Sequence, residues 1–241
     1  DVNKYFTYPS EISFFYNDIS NNFYLLISGN NFSGLATLKL NKEGKIIEKN
    51  YFKSNPYKSA FLMDLNWDFI PDIVAFNSFF NKIDFFYSYD GKSYLKEREI
   101  NFNYRCENLC NYDFNKDNYS DLILSTETGF EILLGDSVYS FNSKSYINTY
   151  VKPERFFVTE LNNNKYHEIV FNEKNTSKLN VLFDIDLSRV ENQLVELSAE
   201  NVVYSEVRNN GNVVKLFYLD NKNNLFCIEK VNNINEKTNL S

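Results

Sequence analysis

Two stretches of the sequence place oxygen-bearing side chains at alternate positions just before an apolar run. Each supplies side-chain oxygens at its first, third, fifth and ninth residues and a backbone carbonyl at its seventh, which is how calcium loops supply their ligands. A structural Ca²⁺ is therefore predicted in each. The first predicted ligand set is Asp64, Asn66, Asp68, Ile70 and Asp72. The second is Asp113, Asn115, Asp117, Tyr119 and Asp121.

A third stretch keeps the pattern with fewer charges on longer side chains. Its residues Glu160, Asn162, Asn164, Tyr166 and Glu168 predict a weak or vestigial metal site, with side-chain hydrogen bonds shaping the turn instead. His167 is the only histidine, so no Ser-His-Asp or Cys-His arrangement can be assembled, and we expect it to be a solvated turn residue. Because the loops lack a nucleophile and an open metal position, the ion is predicted to be structural.

The three loops also reveal an internal repeat. They begin at residues 64, 113 and 160, which are 49 and 47 residues apart, and polar turns beginning at Asn17 and Glu206 continue the period. Five units follow, starting near residues 11, 58, 107, 154 and 202. Most units carry four short apolar runs separated by Asn, Gly, Ser and Lys turns, a pattern typical of a propeller blade.

The repeat predicts an all-β fold. We expect one domain over residues 1–241, a five-bladed β-propeller with four antiparallel strands per blade. The fifth unit has only three apolar runs before the polar tail at 232–241. Residues 1–10, which contain the run Lys4–Tyr8, are therefore predicted to complete the last blade and close the ring, leaving no radial edge unpaired.

Composition excludes several classes of partner. The formal net charge of −7 argues against nucleic acid, because phosphate binding needs a basic face. No apolar run is long enough to predict a transmembrane segment.

The three cysteines, Cys106, Cys110 and Cys227, are too few for a disulfide scaffold. Either the first two form a local disulfide, or all three are reduced thiols in the core.

Together the loops and repeats make the chain resemble the FG-GAP/VCBS repeat family, which includes the blades of integrin α-subunit propellers and many bacterial extracytoplasmic proteins. The resemblance is carried by Asp64/Asn66/Asp68/Asp72, by Asp113/Asn115/Asp117/Asp121 and by the apolar strand after each. The Phe-Gly and Gly-Ala-Pro flanks of that family are absent. The resemblance implies a loop that joins the innermost strand to the second strand and holds calcium, and a periplasmic, secreted or cell-surface location.

The expected function is protein recognition, adhesion or scaffolding without catalysis, through a protein partner that the sequence does not identify. Two alternatives stay open. A lectin would bind a glycan in pockets between blades, although the connecting loops differ from unit to unit. A glycosidase-type enzyme is less expected, because no matched set of channel carboxylates is evident. Adjacent Phe79 and Phe80 in a turn are the first candidates for partner binding, and Tyr87, Tyr89 and Tyr139 are further candidate exposed rings.

Overall fold

A computed structural model gives the structure of the protein. It describes residues 11–29, 31–161, 166–174, 176, 178–187, 193–196, 202–209, 214–229 and 237–239. Within these ranges every long regular element is a β-strand, and twenty strands form five four-stranded sheets. No helix in the described part of the chain is long and apolar enough to cross a membrane.

Each sheet takes four consecutive strands. Sheet 1 contains β1 (Glu11–Asn17), β2 (Asn22–Ser28), β3 (Leu35–Leu40) and β4 (Ile46–Phe52). Sheet 2 contains β5 (Ser59–Met63), β6 (Asp72–Asn77), β7 (Lys82–Tyr87) and β8 (Leu95–Asn101). Sheet 3 contains β9 (Cys106–Tyr112), β10 (Asp121–Thr126), β11 (Gly129–Leu134) and β12 (Ser143–Asn148). Sheet 4 contains β13 (Pro153–Thr159), β14 (His167–Glu173), β15 (Leu179–Ile185) and β16 (Gln193–Glu196). Sheet 5 contains β17 (Val202–Asn209), β18 (Val214–Asp220), β19 (Leu225–Glu229) and β20 (Lys237–Asn239).

The strands of every sheet follow one another in chain order, as in a propeller blade. Their burial explains their composition. Every residue of β6 and of β10 is buried, which accounts for their continuous apolar runs. The last strand of sheet 1, β4, alternates half-buried and exposed residues, as a strand with one face toward solvent does. The predicted four antiparallel strands per repeat are confirmed where pairing is described, for example in sheets 1, 2 and 4.

The predicted closure by the N-terminus is wrong. The last sheet is completed by β20, which pairs antiparallel with β19 and places Asn239 opposite Phe226. That strand comes from the segment predicted to be a polar tail, so the residues at 1–10 are not needed as its fourth strand. β20 could not be predicted from an apolar run, because the outer strand of a blade needs few apolar residues. The predicted strand Lys4–Tyr8 lies outside the described residues.

The chain divides into two compact units. One comprises 1–113, 117–124 and 134–142, and the other 114–116, 125–133 and 143–241. The prediction of a single domain stays a prediction. In the first unit, sheets 1 and 2 share a core of Tyr24, Leu26, Leu35, Tyr57, Ala60, Leu62, Ile73, Ala75 and Tyr94. In the second, sheets 4 and 5 share Leu161, Val170, Leu179, Val181, Phe183, Val202, Leu216 and Tyr218.

The same packing leaves the cysteines unlinked. Cys106, Cys110 and Cys227 form no disulfide, as in the second alternative above, with Cys106 and Cys227 buried in the core and Cys110 half-buried. Burying a large apolar side chain is worth roughly 1.5–3 kcal/mol, so the aromatic cores can hold each unit together without a disulfide.

Candidate functional site

Each of the two acidic loops joins the first and second strands of its sheet, where the family resemblance placed them. Asp64 shapes the first loop by accepting hydrogen bonds from the backbone N–H groups of Asp68 at 3.2 Å and Phe69 at 2.8 Å. Asp68 in turn accepts one from Ile70 at 2.8 Å. Carboxylates that bind backbone groups a few residues on are a standard way to hold a turn.

The second loop repeats this arrangement residue by residue. Asp113 accepts from Asp117 N at 3.1 Å and from Asn118 N at 3.0 Å, and Asp117 accepts from Tyr119 N at 2.8 Å. The fourth and sixth residues of both loops have left-handed backbones. These are Trp67 (φ 61°) and Phe69 (φ 64°) in the first loop, and Lys116 (φ 61°) and Asn118 (φ 71°) in the second. The two loops therefore share one backbone conformation.

The ninth residue of each loop has a different role from the predicted ligand. Asp72 has no exposed surface and accepts N–H bonds from Leu65 at 3.0 Å and Ser88 at 2.8 Å. Asp121 is equally buried and accepts from Gly135 N at 2.7 Å. Both tie the loop to the connection that follows the third strand. Burial raises the pKa of Asp72 to about 7 although its two backbone hydrogen bonds oppose the shift.

Only part of each donor set suits a calcium ion in this arrangement. Asp64, Asn66 and Asp68 contact the same few backbone amides, and Asn66 Nδ2 lies 3.0 Å from Asp68 Oδ2. Their oxygens are hard donors with further lone pairs. Asp72 and Asp121 accept hydrogen bonds from backbone amides, and the charges of Asp64 and Asp68 contribute to the raised pKa of Asp72. In the described residues, no group of three or more His, Cys, Asp or Glu side chains is placed to hold a metal.

The remaining predicted ligands fall on the surface or beside other rings. Asn115 is exposed, Ile70 is half-buried, and Tyr119 is half-buried with its ring centre 5.9 Å from that of Trp67. Metal binding by the backbone carbonyls of the seventh residues, Ile70 and Tyr119, therefore stays a prediction.

The third loop does not assemble a ligand set from its described residues. Glu160 forms an ion pair with Lys116 at 2.8 Å, whereas Glu168 is buried and accepts from Leu161 N at 2.6 Å. Burial raises the pKa of Glu168 to about 7, so it matches Asp72 in role as well as in position. Tyr166 is half-buried. The predicted ligands Asn162 and Asn164 lie outside the described residues.

The prediction for His167 is wrong. The residue opens β14 and is buried, with its ring centre 5.5 Å from that of Phe114 and its Nδ1 3.7 Å from Glu160 Oε1. The strand begins two residues earlier than the apolar run at Ile169, so the imidazole is buried instead of standing in the turn.

An aromatic cluster links the first loop to sheet 3. The indole of Trp67 stacks on Tyr139 with ring centres 5.8 Å apart, and its Nε1 donates to Ser137 O at 3.0 Å. Tyr139 is thus buried instead of exposed as predicted. The contact joins residues about seventy positions apart, and spacing within one loop carries no signal of it.

The candidate partner residues lie at the opposite end of β6 from the acidic loop. Phe79 is 85% exposed and Phe80 is 52% exposed. The turn is held by Asn77, whose Oδ1 accepts the N–H groups of Phe79 at 3.1 Å and Phe80 at 3.0 Å. The two rings meet edge to face with centres 4.9 Å apart. A rigid turn therefore presents both rings to solvent, as expected from the sequence.

A buried ionic network was missed by the sequence analysis. Asp84 in β7 is 2% exposed and lies 2.8 Å from Lys96 Nζ and 3.2 Å from Lys82 Nζ. Tyr57 donates to its Oδ2 at 2.7 Å. One signal was available, since a single aspartate interrupts an otherwise apolar strand. The network joins β7, β8 and Tyr57 through one carboxylate and so stabilises sheet 2.

Comparison with known proteins gives the fold and no family. No protein-family model and no curated protein matches the chain. The solved structure of BBS1N in complex with ARL6DN is similar with a TM-score of 0.63 and 12% identity, over 96% of this chain and 67% of that one. The dihydro-heme d1 dehydrogenase NirN gives 0.63 and 10%, over 98% and 48%. The Dos1 propeller gives 0.54 and 14%, over 95% and 57%.

The chain spans about half of NirN and of the Dos1 propeller. At these identities the likeness concerns architecture alone. With the repeated four-stranded sheets, it shows that the chain has the all-β fold of a β-propeller.

Proposed function

We propose that the chain is a recognition module without catalytic activity, a propeller whose five sheets act as blades and which binds a protein partner. The turn at residues 77–81 forms part of the contact surface. The observation that carries the proposal is the exposure of Phe79 and Phe80 on a turn whose backbone is fixed by Asn77. Exposed aromatic side chains on a rigid support lose little entropy when a partner covers them, and they make frequent hot spots.

The state of the acidic side chains supports a role without catalysis. Glu107 on β9, the first strand of sheet 3, is 5% exposed and lies 3.5 Å from Lys58 Nζ and 3.2 Å from Arg105 Nε. A carboxylate paired with two cations is a poor general base or nucleophile. Structures with this fold include an enzyme, NirN, and a protein in a complex, BBS1N with ARL6DN. The paired carboxylate and the exposed turn favour the second kind of role.

We also propose that Ca²⁺ binds the heads of the two acidic loops, through Asp64, Asn66 and Asp68 and through Asp113, Asn115 and Asp117. The ion would brace each turn and stabilise the native state. Asp64 and Asn66 accept hydrogen bonds from the same backbone N–H, that of Asp68, which brings their oxygens together and supports the proposal for the first loop. Asp113 accepts from the matching N–H of Asp117 in the second loop. Such weak sites suit compartments where calcium is plentiful, so we further propose a location outside the cytoplasm.

The recognition proposal is tested by affinity capture from an extract of the source organism, followed by titration of the purified partner. We compare the wild type with Phe79→Ser/Phe80→Ser, and use Tyr150→Ser, at an 80% exposed ring, as the matched control. A protein partner that binds the wild type and the control but not the double variant supports the proposal. Equal binding by all three forms contradicts the assignment of the turn. Saccharide binding on a glycan array without a protein partner would favour a lectin.

A further inference from the structure

We propose that a second docking surface lies at the other end of the sheets, and that it binds a protein segment combining apolar and basic side chains. The surface consists of Ile19, Phe69, Trp67 and Val138, which stand on three turns of the first compact unit. These four residues are called the apolar row. It is separate from the turn at 77–81, so an experiment can contradict one of the two proposed docking surfaces without affecting the other.

The apolar row is exposed, and hydrogen bonds join the three turns that carry it. Its exposed fractions are 68% for Ile19, 59% for Phe69, 51% for Trp67 and 70% for Val138. The three turns are joined by hydrogen bonds. Asn17 Nδ2 donates to Phe69 O, and Trp67 Nε1 donates to the carbonyl of Ser137, the residue before Val138. The exposed side chains are therefore held beside one another by the fold instead of being scattered singly.

The second acidic loop shows that the fold does not require these rings. Trp67 and Phe69 occupy the two left-handed positions at which the matching loop has Lys116 and Asn118. Asn tolerates the left-handed region well, whereas bulky side chains enter it rarely. The first loop thus places two large rings where they are both strained and exposed. Trp67 gains its stack on Tyr139 and its hydrogen bond to Ser137 in return, but half of its indole and 59% of Phe69 stay exposed, which points to a partner that covers these surfaces.

The charge around the apolar row indicates the chemistry of that partner. Residues 17–21, 64–72 and 135–142 contain five aspartates and no lysine, arginine or histidine. Asp18 is exposed, and Asp64, Asp68 and Asp136 are half-buried. Lysine and arginine side chains complement such a rim, and they also interact favourably with the exposed face of an indole. An acidic partner would be repelled.

The single tryptophan of the chain lies in the apolar row, so its fluorescence reports on occupancy directly. The probe is a short synthetic peptide of alternating leucine and lysine, titrated into the full chain in the presence of chelator. The control peptide has glutamate in place of lysine. We expect a saturable change in Trp67 emission with the basic peptide alone, and an affinity that falls with added salt.

Phe69→Asn is the decisive variant because it copies the matching loop and changes no charge. We expect it to weaken the basic peptide by about tenfold while leaving the melting temperature unchanged or higher. Phe79→Asn is the matched control and should bind as the wild type does. Equal binding by the Phe69→Asn variant, or an equal response to the acidic peptide, overturns the proposal. Concentration-dependent self-association that Phe69→Asn abolishes would assign the apolar row to a second copy of the chain and overturn it too.

Discussion

The hydroxyl of Tyr57, in the connection between the first two sheets, donates a 2.7 Å hydrogen bond to Asp84 in β7. The same carboxylate receives Lys96 and Lys82, so one buried acid binds three donors. Asp84→Ala leaves the buried hydroxyl of Tyr57 without its acceptor and leaves Lys82 and Lys96 with Glu99 as their acidic partner. We expect a loss of the order of 3 kcal/mol in unfolding free energy, measured by urea denaturation.

A matched substitution checks this prediction. Lys96 is partly exposed, and Asp84 keeps Lys82 and Tyr57 when Lys96 is replaced by Gln. Lys96→Gln should therefore cost clearly less than Asp84→Ala. Similar losses for both variants would show that the carboxylate is not the centre of the network.

The buried Asp72 predicts an unusual dependence of stability on pH. Its pKa is about 7 when folded and near 3.8 in the unfolded chain, so the folded state binds more protons between those values. The contribution is complete below the unfolded pKa and is lost as pH rises through about 7. In chelator, the urea midpoint of the wild type should fall from pH 5 to pH 8.

Asp72→Asn isolates this effect from Glu168, whose pKa burial also raises to about 7. The variant is less stable at pH 5, because an amide cannot accept both backbone N–H groups that Asp72 binds. Its stability should nevertheless change less between pH 5 and pH 8. Parallel pH profiles for the two proteins would refute the assignment.

The calcium proposal predicts stabilisation by mass action. An ion at a hundred times its dissociation constant adds about 2.7 kcal/mol to the unfolding free energy. Thermal melts in calcium should exceed those in chelator for the wild type. The double variant Asp64→Ala/Asp113→Ala should lose this difference, and Asp90→Ala, at an acid outside both loops, should keep it. An equal wild-type melting temperature in calcium and in chelator would contradict the proposed metal sites.

Sequence patterns captured the elements that repeat and missed those that do not. The turn conformation of the loop between Asp64 and Asp72 can be predicted from its residue types. Its hydrogen bonds join residues only a few positions apart in the chain. Contacts such as that of Trp67 with Ser137 join residues far apart in the chain, and no periodic pattern in the sequence predicts them. The strand at Lys237–Asn239 was missed for another reason, since backbone pairing at the outer edge of a sheet places little demand on side-chain polarity.

The guanidinium of Arg98 lies 4.0 Å from the ring centre of Phe85 and 5.5 Å from that of Phe141. Its Nη1 also donates to Tyr139 O at 2.7 Å, so one side chain holds the connection at residues 135–142 against sheet 2. Arg98→Lys keeps the charge but loses the planar stacking and the fixed fork of donors. We expect a loss of about 1–2 kcal/mol in unfolding free energy.

The second readout of Arg98→Lys is local. Tyr139 stacks on Trp67, so a loosened connection should expose the indole and shift its emission to longer wavelength in the folded protein. Arg105→Lys is the control, because that side chain is exposed and its charge pairs with Glu107 without ring stacking. It should leave the emission unchanged. A destabilised Arg98→Lys variant with wild-type emission would mean that Arg98 supports sheet 2 without positioning the turn that carries Tyr139.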